Sequence, residues 1–325
     1  MRVLLWHVHG SWTTSFVSGD HDYLLPVSPD RGPDGRGRAT SWNWPSRARE
    51  VPLDQLVHEL PDVVVLQRPH EADLLQRLTG LRVGRDLPAV YLEHNAPTGH
   101  AVTSRHPVTE RPELSGIPVV HVTWFNSMAW DCGEAETMVV EHGIPDPGHL
   151  YTGTDPSLAV VVNEPVRRWR VAGTDVVLDL MRDVPVHVYG IQSEALRGPA
   201  GERGLDLDDR VHDLPQHQLH RQMARHYAYL HPYRWTSLGL SLLEAMTIGM
   251  PVLALATTEA PAAVPASAGL VSNDIGALRR QAAAWLAHPD QAAACGRAAR
   301  EHALTHYGLS RFLDDWDRIL KEVAQ

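Results

Sequence analysis

The stretch that decides the fold runs from Thr236 to Val252 and reads TSLGLSLLEAMTIGMPV. It predicts a turn, a helix that begins near Gly239, a helix stop at Gly249-Met250-Pro251 and then a buried strand. A glycine at a helix start lets a ligand approach the free backbone N–H groups, so this helix end is suited to an anion. Glu244 lies more than one turn into the helix, where its carboxylate could accept two hydrogen bonds from a ribose diol. The spacing alone equally allows Glu244 to be a solvated helix residue.

Short apolar runs alternate with helical patterns along the rest of the chain. Continuous apolar runs of this kind indicate strands buried on both faces, the habit of parallel α/β sheets. The predicted strands are Val3–Trp6, Val63–Leu66, Ala89–Leu92, Val119–Val122, Leu158–Val162, Val186–Tyr189 and Val252–Leu255. The helical stripes are Leu219, Met223 and Tyr227; Leu278, Ala282, Trp285 and Leu286; and Phe312, Trp316, Ile319, Leu320 and Val323. The alternation predicts an α/β protein with doubly wound parallel sheets.

Composition narrows the classes of protein. The length of 325 residues suggests two domains, with a Pro- and Gly-rich seam at 142–148. The net charge of −10 disfavours nucleic acid as a partner. The only cysteines, Cys132 and Cys295, exclude a disulfide framework. We expect a cytoplasmic protein without a transmembrane segment. A nicotinamide-dependent oxidoreductase is disfavoured because no G-x-G-x-x-G motif follows a strand.

The stretch 236–252 resembles the donor-site signature of the retaining nucleotide-sugar glycosyltransferases of the GT-B fold, family 4. That signature contains Glu, Gly-Phe-Gly-Leu and then Glu-Ala-Met-Ala-x-Gly-x-Pro-Val. The resemblance covers residues 139 to 325. Further matching segments are Val139–Pro145, Ala268–Val271, Asp274, Ala277-Leu278, His288-Pro289, Gly296–Arg300 and Tyr307–Ser310.

The resemblance implies a fold and a reaction. The fold would be GT-B: two Rossmann-like domains with a cleft between them. Residues 1–150 would bind the acceptor, residues 151–308 would bind the donor, and a helix over 309–325 would pack back on the first domain. The reaction would be metal-independent, retaining transfer of a sugar from a nucleoside diphosphate to an unidentified hydroxyl acceptor. No cofactor is implied, because the nucleotide sugar is itself the donor substrate.

Carried over residue by residue, Glu244 would hold the donor ribose, and the backbone amides of Gly239, Leu240 and Ser241 would meet the diphosphate. Thr236 stands where the family has a glutamate that contacts hydroxyls of the donor sugar. Threonine is shorter and carries no charge, although it can still give and accept a hydrogen bond. An alternative is that Thr236 or Ser237 simply caps the helix.

Three arginines follow the first predicted strand of the second half. The family places an Arg and a Lys there for the donor phosphates, and Arg167, Arg168 and Arg170 match by chemistry rather than by pattern. Guanidinium groups fork onto phosphate oxygens. We expect Arg168 and Arg170 to stabilise the leaving diphosphate and Arg167 to assist binding. The alternative is that these three arginines are solvent-exposed surface charges without a function.

The N-terminal half offers two strand ends. Gly10 follows the first strand, where the family approaches the donor phosphate and the acceptor. His94 follows another strand, and the family often has a histidine there, near the donor sugar. His7 and His9, two positions apart on a strand, would share a face as metal ligands do. No third ligand follows at a suitable spacing, so no metal is predicted.

Tryptophan is unusually frequent, with ten Trp against three Phe. Trp12, Trp42 and Trp44 lie in predicted loops, and indole faces stack on sugar rings or apolar aglycones, so we expect them to bind the acceptor. The segment 28–45 is long for a structureless connection, so it is either mobile or functional. The alternative is that the loop indoles only anchor a lid, and that the core indoles are Trp6, Trp124 and Trp130.

Two further functions remain alternatives to a glycosyltransferase. Thr236 in place of glutamate would suit a non-catalytic nucleotide-sugar binding partner. A nucleotide-sugar epimerase would use the same fold without an acceptor. The cluster of Arg31, Arg36 and Arg38 leaves open a peripheral contact with an anionic membrane.

Overall fold

The structure, a computed structural model, describes residues 1–40, 42–100 and 103–325. The chain divides into two compact units. Unit 1 comprises Met1–Gly143 and Leu309–Gln325, and unit 2 comprises Ile144–Gly308. The chain therefore enters unit 2 once and returns to unit 1 for its last segment.

Unit 1 contains a parallel seven-stranded sheet. Its strands are β1 (Arg2–Leu5), β2 (Asp22–Val27), β3 (Ala48–Pro52), β4 (Val63–Leu66), β5 (Ala89–Glu93), β6 (Val119–His121) and β7 (Thr137–Val139). They lie in the order β3-β2-β1-β4-β5-β6-β7. The connecting helices include α1 (Gly10–Phe16), α2 (Glu71–Thr79), α3 (Pro107–Glu110), α4 (Trp124–Ala129) and the 3₁₀ helices Leu53–His58 and Pro112–Leu114.

Unit 2 contains a parallel six-stranded sheet. Its strands are β8 (Asp155–Val161), β9 (Val186–Tyr189), β10 (Val211–His212), β11 (His226–His231), β12 (Val252–Ala254) and β13 (Gly269–Val271), in the order β10-β9-β8-β11-β12-β13. Its helices include α5 (Pro165–Ala172), α6 (Thr174–Leu180), α7 (Arg197–Gly201), α8 (Gln216–Met223), α9 (Leu240–Thr247), α10 (Ala260–Ala263), α11 (Ile275–Ala287), α12 (Pro289–His306) and the 3₁₀ helix Ser193–Leu196.

Both sheets reverse their strand order once, which makes each unit doubly wound. The reversal falls between β1 and β4 in unit 1 and between β8 and β11 in unit 2. In open parallel sheets, ligands bind outside the carboxyl ends of the strands at such a switch point. The predicted fold class, two Rossmann-like α/β units, is confirmed.

The central strands are continuous apolar runs in the sequence because their side chains are buried on both faces of the sheet. In β8 and its last flanking residue, Leu158, Val160 and Val162 face one core of unit 2, while Ala159 and Val161 face the other. The sheet of unit 2 is thus buried between two layers of helices, as parallel sheets are. Two of the seven predicted strands, Val63–Leu66 and Val186–Tyr189, have the predicted bounds in the structure.

Strand β11 was not predicted from the sequence, and neither were β2, β3, β7, β10 and β13. Tyr227 was assigned to the helical stripe of Leu219 and Met223, but α8 ends at Met223 and Tyr227 lies in the strand. The strand carries His226 and His231 at its ends, so it lacks the unbroken apolar run that marks its neighbours. The segment 196–203 contains α7 in spite of its two glycines and one proline.

The last helix, α13 (Leu309–Val323), belongs to unit 1. Its buried stripe is Phe312, Trp316, Ile319 and Leu320. The Trp316 ring lies 5.6 Å from that of Trp12 and 5.1 Å from that of Phe16, in edge-to-face geometry. Such aromatic contacts add to the stabilisation from apolar burial. Among the residues that the structure describes, no helix combines the length and hydropathy needed to cross a bilayer.

Replacing Trp316 with alanine should strongly destabilise the protein. Trp316 is 1% exposed, so truncation leaves a cavity that costs roughly 3–5 kcal/mol. Trp124→Ala is the matched control, because that indole is 64% exposed and its loss should cost under about 0.5 kcal/mol. Urea unfolding of the intact chain measures both, and equal effects would contradict this packing.

Candidate functional site

The switch point of unit 2 begins with the turn after β8. Glu164 lies there with φ at 52°, in the left-handed region that a non-glycine residue occupies only at a cost. Its carboxylate accepts a hydrogen bond of 2.8 Å from Arg167 Nε and a second one from Arg167 Nη2. Arg167, which was predicted to bind phosphate, therefore forms an ion pair with a carboxylate three residues earlier in the chain.

Arg168 has a different environment from Arg167. Its guanidinium carbon lies 5.2 Å from the centre of the Tyr233 ring, a cation–π contact. In the described ranges Arg168 forms no ion pair with a carboxylate, and its side chain is half-buried. The guanidinium also hydrogen-bonds the Tyr233 side chain, and its remaining N–H groups are available to an anion.

Arg170 and Arg234 share one carboxylate, that of Asp175. Arg170 Nη1 lies 2.8 Å from Asp175 Oδ2, and Arg234 contacts both oxygens at 2.5 and 2.9 Å. Burial acts to raise the pKa of Asp175, but Arg234 and then Arg170 outweigh it and lower the pKa overall. Two cations on one anion leave a net positive charge at this point.

The turn between α5 and α6 lies against the segment that follows β11. A Cβ added to Gly173 would lie 1.8 Å from the Pro232 carbonyl oxygen, and the residue has φ at +72°. Arg234 N–H donates to the Val171 carbonyl at 2.9 Å. These contacts bring the arginine-bearing helix and the end of β11 together.

The amino end of α9 meets the same strand end. Gly239, and not Thr236 or Ser237, occupies the N-cap position of α9, and glycine has no side chain with which to cap the helix. A Cβ on Gly239 would lie 2.6 Å from His231 Cε1, so only glycine fits without displacement. The Ser241 hydroxyl lies 2.8 Å from that of Tyr229. The first N–H groups of a helix have no partner within it, and here they belong to the predicted diphosphate contacts.

Glu244 is a buried carboxylate within α9. It is 7% exposed, so the alternative of a solvated helix residue is wrong. Its Oε1 accepts a hydrogen bond of 2.7 Å from Gln216, and its Oε2 lies 3.3 Å from His220 Nε2. A carboxylate has about four acceptor positions, so the hydrogen bond from Gln216 orients it and leaves capacity for a diol.

His231 lies at the carboxyl end of β11 between aromatic rings. Its ring centre is 4.9 Å from that of Tyr233 and 6.2 Å from that of Tyr229. Burial lowers the pKa of His231 to about 3. The side chain is therefore neutral at neutral pH, and its ring packs against the backbone at Gly239.

In unit 1, His94 follows β5 and has a defined tautomer. Gln67 donates from Nε2 to the Trp6 carbonyl at 2.7 Å, so its Oε1 accepts the hydrogen of His94 Nε2 at 2.9 Å. The lone pair of His94 is then on Nδ1. Burial lowers the pKa of His94 well below its ordinary value, and the neighbouring His9 and His142 lower it further.

His7 and His9 do not share a strand face as predicted, because β1 ends at Leu5. The His7 ring packs 4.9 Å from that of Trp44, whereas the His9 ring lies 4.2 Å from that of His94. Burial lowers the pKa of His9 to about 4. The two histidines therefore have separate partners.

Gly10 and Trp42 line a small cavity in unit 1. A Cβ on Gly10 would lie 2.9 Å from Trp42 Cη2, so the indole lies directly over the start of α1. The cavity has a volume of about 290 Å³, and its lining includes Arg31, Arg36 and Arg38. The Arg31 guanidinium pairs with Glu50 at 2.8 Å, and that of Arg38 bonds backbone carbonyls.

Two of the predicted acceptor tryptophans need correction. Trp12 is 1% exposed and packs on Phe16 with ring centres 4.7 Å apart, so its indole faces are occupied by the core. Trp44 is 3% exposed and donates its N–H to Thr14 at 2.8 Å. The alternative also fails for one indole, because Trp124 is exposed rather than in the core.

Sequence reasoning missed several residues of the unit 2 site. His231, Tyr233 and Arg234 end or follow β11, one of the strands that were not predicted, and Gln216 opens α8. The available signal was the segment His226–His231, which has strand length and two tyrosines. Recognising it would have placed the following residues at a carboxyl strand end.

Comparison with known proteins places this geometry in a wider context. A family model described as glycosyl transferase-like matches residues 174–317. No curated protein sequence matches the chain. Sucrose-phosphate synthase from Thermosynechococcus elongatus is a similar structure, with 14% identity over 99% of this chain and 98% of that chain and a TM-score of 0.71.

Two further solved structures are similar. HepE from Anabaena in complex with UDP-glucose has 13% identity, covers 99% of this chain and 100% of that chain, and has a TM-score of 0.71. TarM from S. aureus, in complex with Fondaparinux, alpha-GlcNAc-glycerol and UDP, has 13% identity over 79% of this chain and 55% of that chain, with a TM-score of 0.65. At such identities the likeness shows the fold. The fold is GT-B.

His231 should make stability depend on pH. Because burial lowers its pKa in the folded state, the unfolded chain binds the proton more readily. The stability is complete above the ordinary histidine pKa of 6.5 and declines as pH falls toward about 3. Between about pH 7 and about pH 5, wild type should lose roughly 1–2 kcal/mol more unfolding free energy than His231→Gln.

The control for this pH dependence is His288→Gln, since His288 is exposed. Urea unfolding across the pH range should give His288→Gln the wild-type slope. An unchanged slope in His231→Gln would contradict the neutral, buried state of His231.

Proposed function

We propose that this chain is a retaining, metal-independent glycosyltransferase of the family 4 type. It transfers a sugar from a nucleoside-diphosphate sugar to a hydroxyl acceptor. One observation carries the proposal: the switch point of unit 2 brings together a helix whose N-cap is Gly239, the buried carboxylate of Glu244 and the guanidinium of Arg168, which pairs with no carboxylate of the described residues. Amide and guanidinium donors suit a diphosphate, and an oriented carboxylate suits a ribose.

The proposed donor nucleotide is UDP. HepE, which is similar to this chain over its full length, is in complex with UDP and with UDP-glucose in solved structures. The proposed donor contacts follow the resemblance: Glu244 binds the ribose hydroxyls and Thr236 bonds a sugar hydroxyl. The half-buried position of Thr236, three residues before the N-cap of α9, supports this role.

The leaving diphosphate needs positive charge that is already in place. Arg168 and the amides of Gly239, Leu240 and Ser241 supply it, since pre-organised donors stabilise developing charge without reorganisation. Arg170 adds positive charge. It shares the single carboxylate of Asp175 with Arg234, so the three groups together are cationic. Arg167 assists less directly because Glu164 already neutralises it.

Unit 1 contributes the proposed acceptor surface and a neutral histidine. His94 presents the lone pair of Nδ1, because Gln67 accepts the hydrogen of Nε2, so it can accept a hydrogen bond from a hydroxyl. We propose that His94 contributes in this way to the transfer step. Trp42 and the cavity beside Gly10 form the proposed acceptor surface, with Arg36 as its cation that lacks a carboxylate partner in the described residues.

Thr236 also favours a second candidate, a non-catalytic partner that binds the nucleotide sugar. Where the family has a charged glutamate, this chain has a neutral hydroxyl. This candidate gives binding without turnover, whereas the enzyme gives both.

Glu244→Ala should abolish most of the activity. Intact protein is incubated with UDP-, GDP- and dTDP-sugars, and release of the nucleoside diphosphate is followed. Loss of charge-assisted hydrogen bonds to the ribose should weaken donor binding at least about tenfold. Glu301→Ala, at an exposed position of α12, should behave as wild type. A protein that binds no nucleotide sugar at millimolar concentration contradicts the proposal.

Gly239→Ala should lower UDP affinity by a steric effect. The new Cβ would overlap the His231 ring, so the start of α9 must move, and a displacement near 1 Å lowers productive binding roughly 10- to 100-fold. Gly198→Ala is the matched control, because nothing lies within 4 Å of its added Cβ. Isothermal titration with UDP measures both variants, and equal affinities would contradict the placement of the diphosphate at α9.

A further inference from the structure

A second cluster of polar side chains occupies the opposite ends of the two central strands of unit 2. Asp155 is the first residue of β8 and His226 is the first residue of β11, and the two are register partners. The proposed donor site follows the last residues of these strands. His187 on the neighbouring strand β9 completes the cluster.

The ligand atoms of these three residues converge. One atom each from Asp155, His187 and His226 lies within 4.8 Å of the other two. His226 Nδ1 lies 3.7 Å from Asp155 Oδ2. The register of β11 against β8 shifts between His226 and Ala228, and such irregularities re-aim a side chain.

A fourth imidazole adjoins the cluster. His212 on β10 has its Nε2 3.3 Å from His187 Nδ1, and the two rings are nearly parallel. In a tetrahedral zinc site with Zn–N bonds of about 2.0–2.1 Å, two ligand nitrogens are about 3.3–3.4 Å apart. The His187–His212 separation therefore equals one edge of such a site.

The cluster also has the outer hydrogen bonds that metal ligands use. Ser157 Oγ donates to Asp155 Oδ1 at 2.7 Å, and the Tyr189 hydroxyl lies 2.6 Å from His226 Nε2. Ser157 Oγ also lies 2.6 Å from His226 Nδ1, and because Ser157 donates its own hydrogen to Asp155, Nδ1 donates to Ser157. A bound ion would replace that hydrogen bond, and the ring would then carry its hydrogen on Nε2, where Tyr189 can accept it. Outer partners of this kind set the tautomer and the ring orientation of a ligating histidine.

The cluster is accessible from solution. A cavity of about 280 Å³ is lined by Asp155, His187, His212 and His226. This cavity gives an ion from solution access to the ligand atoms of the cluster.

We propose that Asp155, His187 and His226 bind a divalent transition-metal ion such as Zn²⁺, with His212 within reach of the fourth position. Imidazole and carboxylate ligands suit Zn²⁺ among the divalent metals. The ion joins β8, β9 and β11, and through His212 it reaches β10. It lies away from the proposed donor site, so its role is structural and is independent of the proposed transfer reaction.

The test uses the intact chain, first stripped with a chelator and then dialysed against Zn²⁺. We expect one tightly held equivalent of zinc in wild type by elemental analysis, and a higher midpoint of thermal unfolding with Zn²⁺ present. His187→Ala and Asp155→Asn should each bind Zn²⁺ at least about tenfold more weakly in calorimetric titration. Circular dichroism without metal shows that the variants are folded.

The matched control is His302→Ala. His302 and His306 stack with ring centres 4.0 Å apart on α12, a histidine pair at the surface. Removing His302 should leave the tightly bound equivalent intact. A second readout is the visible spectrum of the Co²⁺ form, which should show tetrahedral coordination in wild type and lose it in His187→Ala.

Two outcomes would overturn the proposal. One is a wild-type chain that retains no zinc after dialysis, which would make the cluster a hydrogen-bonded part of the core. The other is equal zinc affinity in wild type, His187→Ala and Asp155→Asn, which would place the ion elsewhere.

Discussion

The site of unit 2 depends on one close backbone contact, between Gly173 and the carbonyl of Pro232. Any side chain at position 173 would overlap that oxygen, whose distance to an added Cβ would be 1.8 Å. The contact brings α5 against the end of β11, and the hydrogen bond from Arg234 N–H to the Val171 carbonyl holds it there. Arg168 then lies over the Tyr233 ring, and Asp175 holds both Arg170 and Arg234.

The parallel sheet separates two kinds of chemistry along the same strands. Cationic and amide donors collect where β8 and β11 end, and histidines with a carboxylate collect where these strands begin. The carboxyl ends suit an anionic ligand because helix amino ends point there, whereas the amino ends lack that field. A metal ion bound by Asp155 and neutral imidazoles is compatible with the second environment. The two proposals can therefore fail separately.

Local sequence signals were sufficient to predict secondary structure where the residues that start and stop an element lie within one short segment. The stretch 236–252 predicted α9, its glycine start, its stop before Pro251 and the strand β12, and the structure has all four. The burial of Glu244 was left open, since it depends on Gln216 and His220 from a separate helix. Strand β11 was missed because its polar residues interrupt the apolar run, and the His226 ring finds its partners, Ser157 and Tyr189, on other strands. Trp12 was assigned to the surface because its neighbour Trp316 is about three hundred residues away and belongs to a returning helix.

The central claim is that the carboxyl edge of the unit 2 sheet holds a nucleoside diphosphate. Hydrogen–deuterium exchange of the intact chain with and without UDP tests it directly, because bound phosphates protect the amides that donate to them. The account predicts slower exchange in residues 163–175 and 231–244 when UDP is present, with little change at the amino ends of β8 and β11. Unchanged exchange in both segments, or protection confined to other parts of the chain, would contradict it.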